Sequence, residues 1–180
     1  GRSDFTRYLV DQPNGRQADL AKLWLGLTFF FDRRYEAALG QFDRALGEID
    51  PRSPVRPELF YRRANTLYAM RDYENALTAT EAFLRDFGDH QREPEARVLR
   101  GDVLMGMGRL LEASRQFANV TPEAGALFVY AVFQRGKILR ALEEYPLMVN
   151  HFEGYVARDD VAEKTRLAEA LYWVGWAHQQ

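Results

Sequence analysis

The ionisable side chains of this chain follow no spacing that catalysis or metal binding requires. Its three histidines are His90, His151 and His178, and no two of them stand three or four residues apart, the spacing that places two ligands on one face of a helix. The chain contains no cysteine, which excludes disulfides, thiolate nucleophiles and cysteine metal sites. No serine lies in a nucleophile-elbow pattern, and no glycine-rich phosphate loop follows a strand. We therefore predict a protein that is not an enzyme and that binds no cofactor or metal ion.

Charge and hydropathy exclude two further classes of partner. The 24 basic and 26 acidic residues give a formal net charge of −2 at pH 7, so no net positive field attracts nucleic acid or anionic lipid. No apolar run approaches the roughly 18 residues that a membrane-spanning helix needs. The sequence therefore predicts a protein that does not span a membrane and does not bind nucleic acid.

A series of small and large residues recurs four times along the chain. From Gly26, steps of nine, three, four and three residues lead to Tyr35, Ala38, Phe42 and Ala45. A fifth copy begins at Gly175, and successive copies start about 37 residues apart, within the range of helical repeat proteins. The same steps start at three further residues, Ala64 (to Tyr73, Ala76, Thr80 and Phe83), Gly101 (to Leu110, Ala113, Phe117 and Val120) and Gly136 (to Tyr145, Met148, Phe152 and Tyr155).

Each repeat contains two stretches with the 3.6-residue periodicity of helices, separated by a short polar break. The breaks have the sequences DRRY, MRDY, GMGR and LEEY. The pattern predicts helical hairpins, in which a small residue lets the two helices approach closely, because glycine in a helix otherwise costs about 1 kcal/mol relative to alanine. We expect Phe42, Phe117 and Phe152 to reach towards the following repeat. A single hairpin cannot bury its own apolar face, so the repeats should stack.

The repeats resemble the tetratricopeptide repeat family. The resemblance implies an all-α fold, a right-handed superhelical solenoid of stacked antiparallel helical hairpins with about four complete repeats and a partial repeat at each end. The family's early tryptophan is absent, and Lys22 occupies its position. The first complete repeat matches the family best, at Leu25, Gly26, Phe29, Tyr35, Ala38, Phe42, Ala45 and Pro51.

The repeat boundaries predict one array over residues 1–180. Because the first and last copies are incomplete, we interpret the sequence as a fragment of a longer protein. The expected division is a partial repeat at 1–17, repeats at about 18–56, 57–92, 93–123 and 124–161, and a partial repeat at 162–180.

Two stretches are similar to a tetratricopeptide repeat subgroup of bacterial envelope proteins that bind or assemble outer-membrane components. Their sequences are EAFLRDFGDHQREPEARVLRGDVL and YLVDQPNGRQADLAKLWLGLTF. The resemblance favours the bacterial periplasm or cell envelope over the cytoplasm. The absence of cysteine leaves the compartment open.

Members of the family bind peptides or partner helices on the concave face, which the first helix of each repeat lines. The resemblance therefore implies a binding surface of aromatic and basic residues, the types enriched in interface hot spots. The alternative for each residue is that it packs between helices as part of the core. The candidate residues are Trp24, Leu27, Phe31, Tyr61, Arg62, Asn65, Tyr68, Asp102, Phe133, Lys137, Arg140, Trp173 and Trp176.

Basic residues at two places on this face could bind carboxylates. One version of the family holds a C-terminal carboxylate with Lys and Asn side chains of successive first helices. Arg62 and Asn65 could supply part of such a clamp, but Leu99 stands where a second Asn is expected. Lys137 and Arg140 form a basic pair that could contact an acidic group of a partner.

The resulting hypothesis is a noncatalytic scaffold that binds a peptide or partner protein in a concave groove, with a bacterial envelope complex as one setting for it. The alternative is an accessory or regulatory region of a larger enzyme or sensor whose chemistry lies outside these residues. A third hypothesis is self-association through the apolar surfaces that the incomplete terminal repeats expose. Repeat scaffolds share a fold and bind unrelated ligands, so the fold does not name the partner.

Overall fold

A computed structural model describes residues 1–15, 17–161 and 165–180. Every regular element among these residues is a helix, as the resemblance implied, and the chain is all-α. The predicted start of the last partial repeat, at residue 162, lies outside the described residues. The helices are α1 (Arg2–Asp11), α2 (Ala18–Phe31), α3 (Tyr35–Glu48), α4 (Arg56–Ala69), α5 (Tyr73–Asp86), α6 (Glu93–Gly106), α7 (Leu110–Ala118), α8 (Ala126–Ala141), α9 (Tyr145–Ala157) and α10 (Leu167–Ala177), and a 3₁₀ turn spans Pro122–Ala124.

The chain divides into two compact units, residues 1–96 and residues 97–180. In the first unit α1 packs on α2, α2 on α3, α3 on α4, and α4 on α5. In the second unit α7 packs on α8, α8 on α9, and α9 on α10. Helices that follow one another along the chain are therefore neighbours in each unit, as expected of stacked hairpins.

The polar breaks form the turns between paired helices, as the sequence predicts. The N–H of Arg34 donates to the carbonyl of Phe29 at 2.9 Å, and Asp72, Arg109 and Glu144 repeat this bond with the residue five positions earlier. This is the Schellman motif, in which the residue after the helix adopts a left-handed conformation. Glycine supplies that conformation only in the third turn. The left-handed residues of these four turns are Arg33, Arg71, Gly108 and Glu143, with φ between 58° and 74°.

The small residues are required by a phenyl ring of the same hairpin. A Cβ added to Gly101 would lie 2.6 Å from Cε1 of Phe117, and a Cβ on Gly26 or Gly136 would overlap the ring of Phe42 or Phe152. Each phenylalanine stands 16 residues after its glycine, on the second helix. Each ring therefore packs on the glycine of its own hairpin, a contact that the expected reach towards the following repeat did not include.

The second hairpin replaces both members of this pair. Ala64 stands at the glycine position and Thr80 at the phenylalanine position, and both are buried, at 1% exposure each. The Thr80 hydroxyl donates to the carbonyl of Leu77 at 2.8 Å, which satisfies its hydrogen bond inside the core. A larger residue on the first helix thus accompanies a smaller one on the second. Gly175 has no described atom within 4 Å of an added Cβ.

Gly26→Ala is expected to lower the free energy of unfolding by about 1–3 kcal/mol, because the new methyl group overlaps the ring of Phe42. Phe42→Thr alone should cost about 3 kcal/mol through the cavity that it leaves. The double variant, Gly26→Ala with Phe42→Thr, reproduces the Ala64 and Thr80 pair. It should lose clearly less unfolding free energy than the sum of the losses in the two single variants. Urea denaturation of the three variants measures this coupling.

Gly40→Ala is the matched control, since Gly40 lies on α3 beside Phe42 in sequence and an added Cβ meets open space. It should be neutral or stabilising, because alanine is the better helix former. Equal tolerance of Gly26→Ala and Gly40→Ala would show that ring packing does not require the glycine.

Candidate protein-binding surface

A half-buried carboxyl group connects α6 to α8 in the second unit. Oδ1 of Asp102 accepts a hydrogen bond from the Tyr130 hydroxyl at 2.9 Å. Burial raises the pKa of Asp102 to about 6, although this hydrogen bond and the charge of Lys137 both act to lower it. Tyr130 and Lys137 stand seven residues apart on α8, so they lie on one face of that helix. Asp102 is therefore a group that changes charge near pH 6 on a surface shared by two helices.

Two cations and a tryptophan lie together where α8 meets α10. The Arg140 guanidinium carbon lies 5.0 Å from the centre of a Trp173 ring, a cation–π distance. Lys137 and Arg140 are one turn apart on α8, and both are exposed. No ion pair joins either of them to a described carboxylate, although the charge of Lys137 also acts on Asp102 and Glu169. Their charges are therefore available to an acidic group from outside the chain.

An acidic residue that lines the same cavity as these cations already has a partner. Glu169 accepts hydrogen bonds from Nε and Nη2 of Arg166, each at 2.6 Å. The Arg166 hydrogen bonds hold the pKa of Glu169 below its usual value, and Lys137 contributes more weakly. Glu169 thus remains charged at neutral pH but is neutralised largely by Arg166, which leaves the α8 cations in excess.

A small cavity of about 110 Å³ opens beneath Lys137 and Arg140. Phe133 is only 3% exposed and lies 5.3 Å from Phe152, centroid to centroid, so it belongs to the floor of this cavity. The cavity combines an apolar floor with a charged rim, an arrangement that can hold one apolar side chain of a partner. Its lining residues are Phe133, Gly136, Lys137, Arg140, Met148, Phe152, Glu169 and Trp173.

Aromatic side chains extend this surface along α10. The Trp173 ring lies 5.1 Å from Tyr172 and 5.7 Å from Trp176, and Trp176 lies 5.7 Å from Tyr145 of α9. Tyr172 is 62% exposed. Edge-to-face aromatic pairs of this kind stabilise the arrangement beyond the apolar area that they bury.

In the first unit, the candidate Arg62 lies in an ion-pair network. Its Nε donates to Oε1 of Glu58 at 2.8 Å, and Glu58 also accepts from Nε of Arg92 at 2.9 Å. Burial opposes the charge of Glu58, but the Arg92 and Arg62 contacts outweigh it and lower the pKa of Glu58. Tyr61 lies beneath both guanidinium groups, and its own pKa is raised by burial. Arg62 therefore has a carboxylate within the chain, unlike Lys137 and Arg140.

The remaining candidates of the first unit differ in exposure. Trp24 and Phe31, seven residues apart on α2, are 48% and 69% exposed. Asn65 and Tyr68 of α4 are half-buried. Leu27 is only 4% exposed and belongs to the cluster around Phe42. The expectation that Leu27 contributes to a binding surface is therefore corrected, because its side chain completes the core.

Sequence reasoning missed Tyr130, Arg166 and Glu169. Tyr130 could have been found from its seven-residue separation from Lys137. Nothing in the repeat pattern marks Arg166 and Glu169, which precede and begin the last helix. Among the described residues, no group of three or more His, Cys, Asp or Glu side chains is placed to hold a metal ion. No helix in the described part of the chain is long and apolar enough to cross a membrane.

Comparisons with known proteins agree with this architecture. Residues 61–127 match the family described as tetratricopeptide repeat. The fold is similar to a solved structure of the Rap conjugation gene regulator of the plasmid pLS20 in complex with the Phr* peptide, with a TM-score of 0.60 and 15% identity. That alignment covers 89% of this chain and 52% of the regulator, so the chain spans about half of the regulator's length. No curated protein sequence matches.

Asp102 should titrate with a midpoint near pH 6 in a carboxyl NMR titration. Its folded pKa is raised, so its contribution to stability is fully present below about pH 4 and is lost as the pH rises through 6. Asp102→Asn should therefore raise the free energy of unfolding at pH 7 by on the order of 1 kcal/mol, and much less at pH 4.

Tyr130→Phe provides the companion measurement, because it removes a hydrogen bond that favours the charged carboxylate. The midpoint of Asp102 should then move to higher pH. A midpoint near 4 in the unsubstituted protein, or no change in Tyr130→Phe, would contradict the assigned environment.

Proposed function

We propose that this chain, which matches the tetratricopeptide repeat family over residues 61–127, is a noncatalytic scaffold that binds an acidic segment of a partner protein. The observation that carries this proposal is the surface of Lys137, Arg140 and Trp173. Two exposed cations that form no ion pair with a carboxylate of the described residues border an apolar cavity and the ring of Trp173.

An extended peptide with alternating acidic and apolar residues fits this surface best. Its apolar side chain would fill the cavity above Phe133, and its carboxylates would meet Lys137 and Arg140. Charge complementarity of this kind raises the rate of association and selects partners. Arg140 is already held against Trp173, so little side-chain entropy is lost when its guanidinium contacts a carboxylate.

The candidates of the first unit belong to the same proposal with a different role. Trp24, Tyr61 and Tyr68 offer apolar surface, and Asn65 offers an amide that can bond to a peptide backbone. Arg62 is neutralised by Glu58, so we do not expect it to act as a carboxylate clamp. Its removal should instead weaken binding through the position of the Tyr61 ring.

The preference for acidic peptides is tested with fluorescein-labelled acidic peptides and their Gln-for-Glu counterparts in fluorescence anisotropy. Acidic peptides should bind at least about tenfold more tightly at low salt, and the preference should decline as salt is added. Lys137→Glu combined with Arg140→Glu should remove the preference.

Arg115→Glu is the matched control, since Arg115 is an exposed arginine on α7 that does not border the cavity. It should keep the preference for acidic peptides, and circular dichroism should show that all variants remain helical. Equal binding of acidic and amide peptides to the unsubstituted protein would overturn the proposal.

A second candidate function is a regulatory repeat region of a larger protein. The supporting observation is that the chain spans 52% of a regulator with a similar fold. A sensor or catalytic domain encoded beside these residues in the reading frame would favour this function. A signal peptide followed by more repeats would favour an envelope scaffold.

A further inference from the structure

A second cavity of about 280 Å³ lies between α7, α8 and α9, away from the Lys137 surface. We name it the Arg135 pocket. Phe128, Val132 and Arg135 line it at intervals of four and three residues on α8, so they form one face of that helix. Lys137 lies two positions beyond Arg135, which places it on the opposite face. The other lining residues are Phe117, Ala118, Val120, Asn150, His151, Gly154, Tyr155 and Arg158.

Arg135 has unsatisfied hydrogen-bonding capacity in this pocket. Its Nε is buried and has no hydrogen-bond partner among the residues that the structure describes. Its Nη1 lies 3.3 Å from Nδ1 of His151, and Nε2 of His151 lies 2.8 Å from the carbonyl oxygen of Val132. A carbonyl can only accept and a guanidinium can only donate, so His151 is the neutral tautomer with its proton on Nε2. No described carboxylate forms an ion pair with Arg135.

Arg63 occupies the position of Arg135 in another repeat, and it does form an ion pair with a carboxylate. Arg63 precedes the small residue Ala64 as Arg135 precedes Gly136, and Nε of Arg63 donates to Oδ1 of Asp43. Asp43 directly follows Phe42 on the second helix of the preceding repeat. The residue that follows Phe117 in the corresponding place is Ala118. The repeat that precedes Arg135 therefore lacks the carboxylate that Arg63 has.

Arg158, the other arginine of the pocket, does have a carboxylate partner. Arg158 donates from Nε and Nη2 to the two carboxylate oxygens of Asp160, at 2.8 and 2.6 Å. Its guanidinium carbon also lies 5.4 Å from the centre of the Phe128 ring. Arg158 is thus neutralised and closes one side of the pocket, while Arg135 supplies its positive charge.

We propose that the Arg135 pocket binds the carboxylate of a small organic acid. The carboxylate takes the place that an Asp side chain would fill at position 118 and accepts hydrogen bonds from Arg135. Charge-assisted bonds to a partly buried guanidinium are among the strongest that proteins make. The body of the acid packs against Phe128, Val132 and Val120, and a volume of about 280 Å³ admits one aromatic ring.

Benzoate is the probe, with benzamide as its neutral counterpart and inorganic phosphate as an anion without an apolar body. Binding is followed by NMR chemical shifts and by the midpoint of thermal unfolding. Benzoate should bind at least about tenfold more tightly than benzamide, since it alone carries the charge, and it should bind more tightly than phosphate. Shifts should centre on Val132, Arg135 and His151.

Ala118→Asp is the decisive variant, because it supplies the missing carboxylate from within the chain. It should raise the midpoint of thermal unfolding and abolish benzoate binding, which a disrupted fold cannot imitate. Arg135→Met should abolish binding as well, whereas Arg115→Glu, outside the pocket, should retain it.

Equal binding of benzoate and benzamide would overturn the proposal, as would tighter binding of phosphate or benzoate binding that survives Ala118→Asp. These outcomes would not bear on the proposed binding of acidic peptides, because that binding depends on Lys137 and Arg140 on the other face of α8.

Discussion

The contact between a phenyl ring and a glycine in the same hairpin fixes the geometry of three of these repeats. Because the ring of Phe42, Phe117 or Phe152 occupies the space of a missing side chain, the first helix can turn only one of its faces towards the second. The residues that precede and follow the glycine in sequence then lie on different sides of the first helix. Asp102 and Lys137, which follow their glycines, lie towards the predicted binding surface. Arg135, which precedes its glycine, lies towards the second helices.

This constraint separates the part of each repeat that must stay fixed from the part that can vary. The pair of positions 16 residues apart accepts Gly with Phe or Ala with Thr, since both fill a similar space. The neighbouring positions carry no such restriction, so their charges can differ between repeats. Asp43 and Ala118 stand in corresponding places, and Arg63 pairs with Asp43 whereas Arg135 pairs with no carboxylate of the described residues.

The sequence was sufficient to predict the hairpins and their turns, because helical periodicity and small residues follow from local packing. It could not predict the left-handed conformation of Arg33, Arg71 and Glu143, since glycine marks that position only at Gly108. It also could not show that Leu27 is buried and that Trp24 is exposed. A first helix packs against neighbours on more than one side, so apolar residues occur on most of its surface and periodicity does not identify the exposed ones.

The chemistry of the arginines depended on contacts that no local pattern contains. Glu58 lies four residues before Arg62, which predicts a helical ion pair, but Arg92 reaches the same carboxylate from 34 residues away. A formal charge of −2 over the chain conceals such differences. Arg62 and Arg158 form ion pairs with carboxylates of their own units, whereas Lys137, Arg140 and Arg135 form none with a described carboxylate. A nearly balanced chain can therefore still attract anions, because binding depends on the local deficit of carboxylates and not on the total.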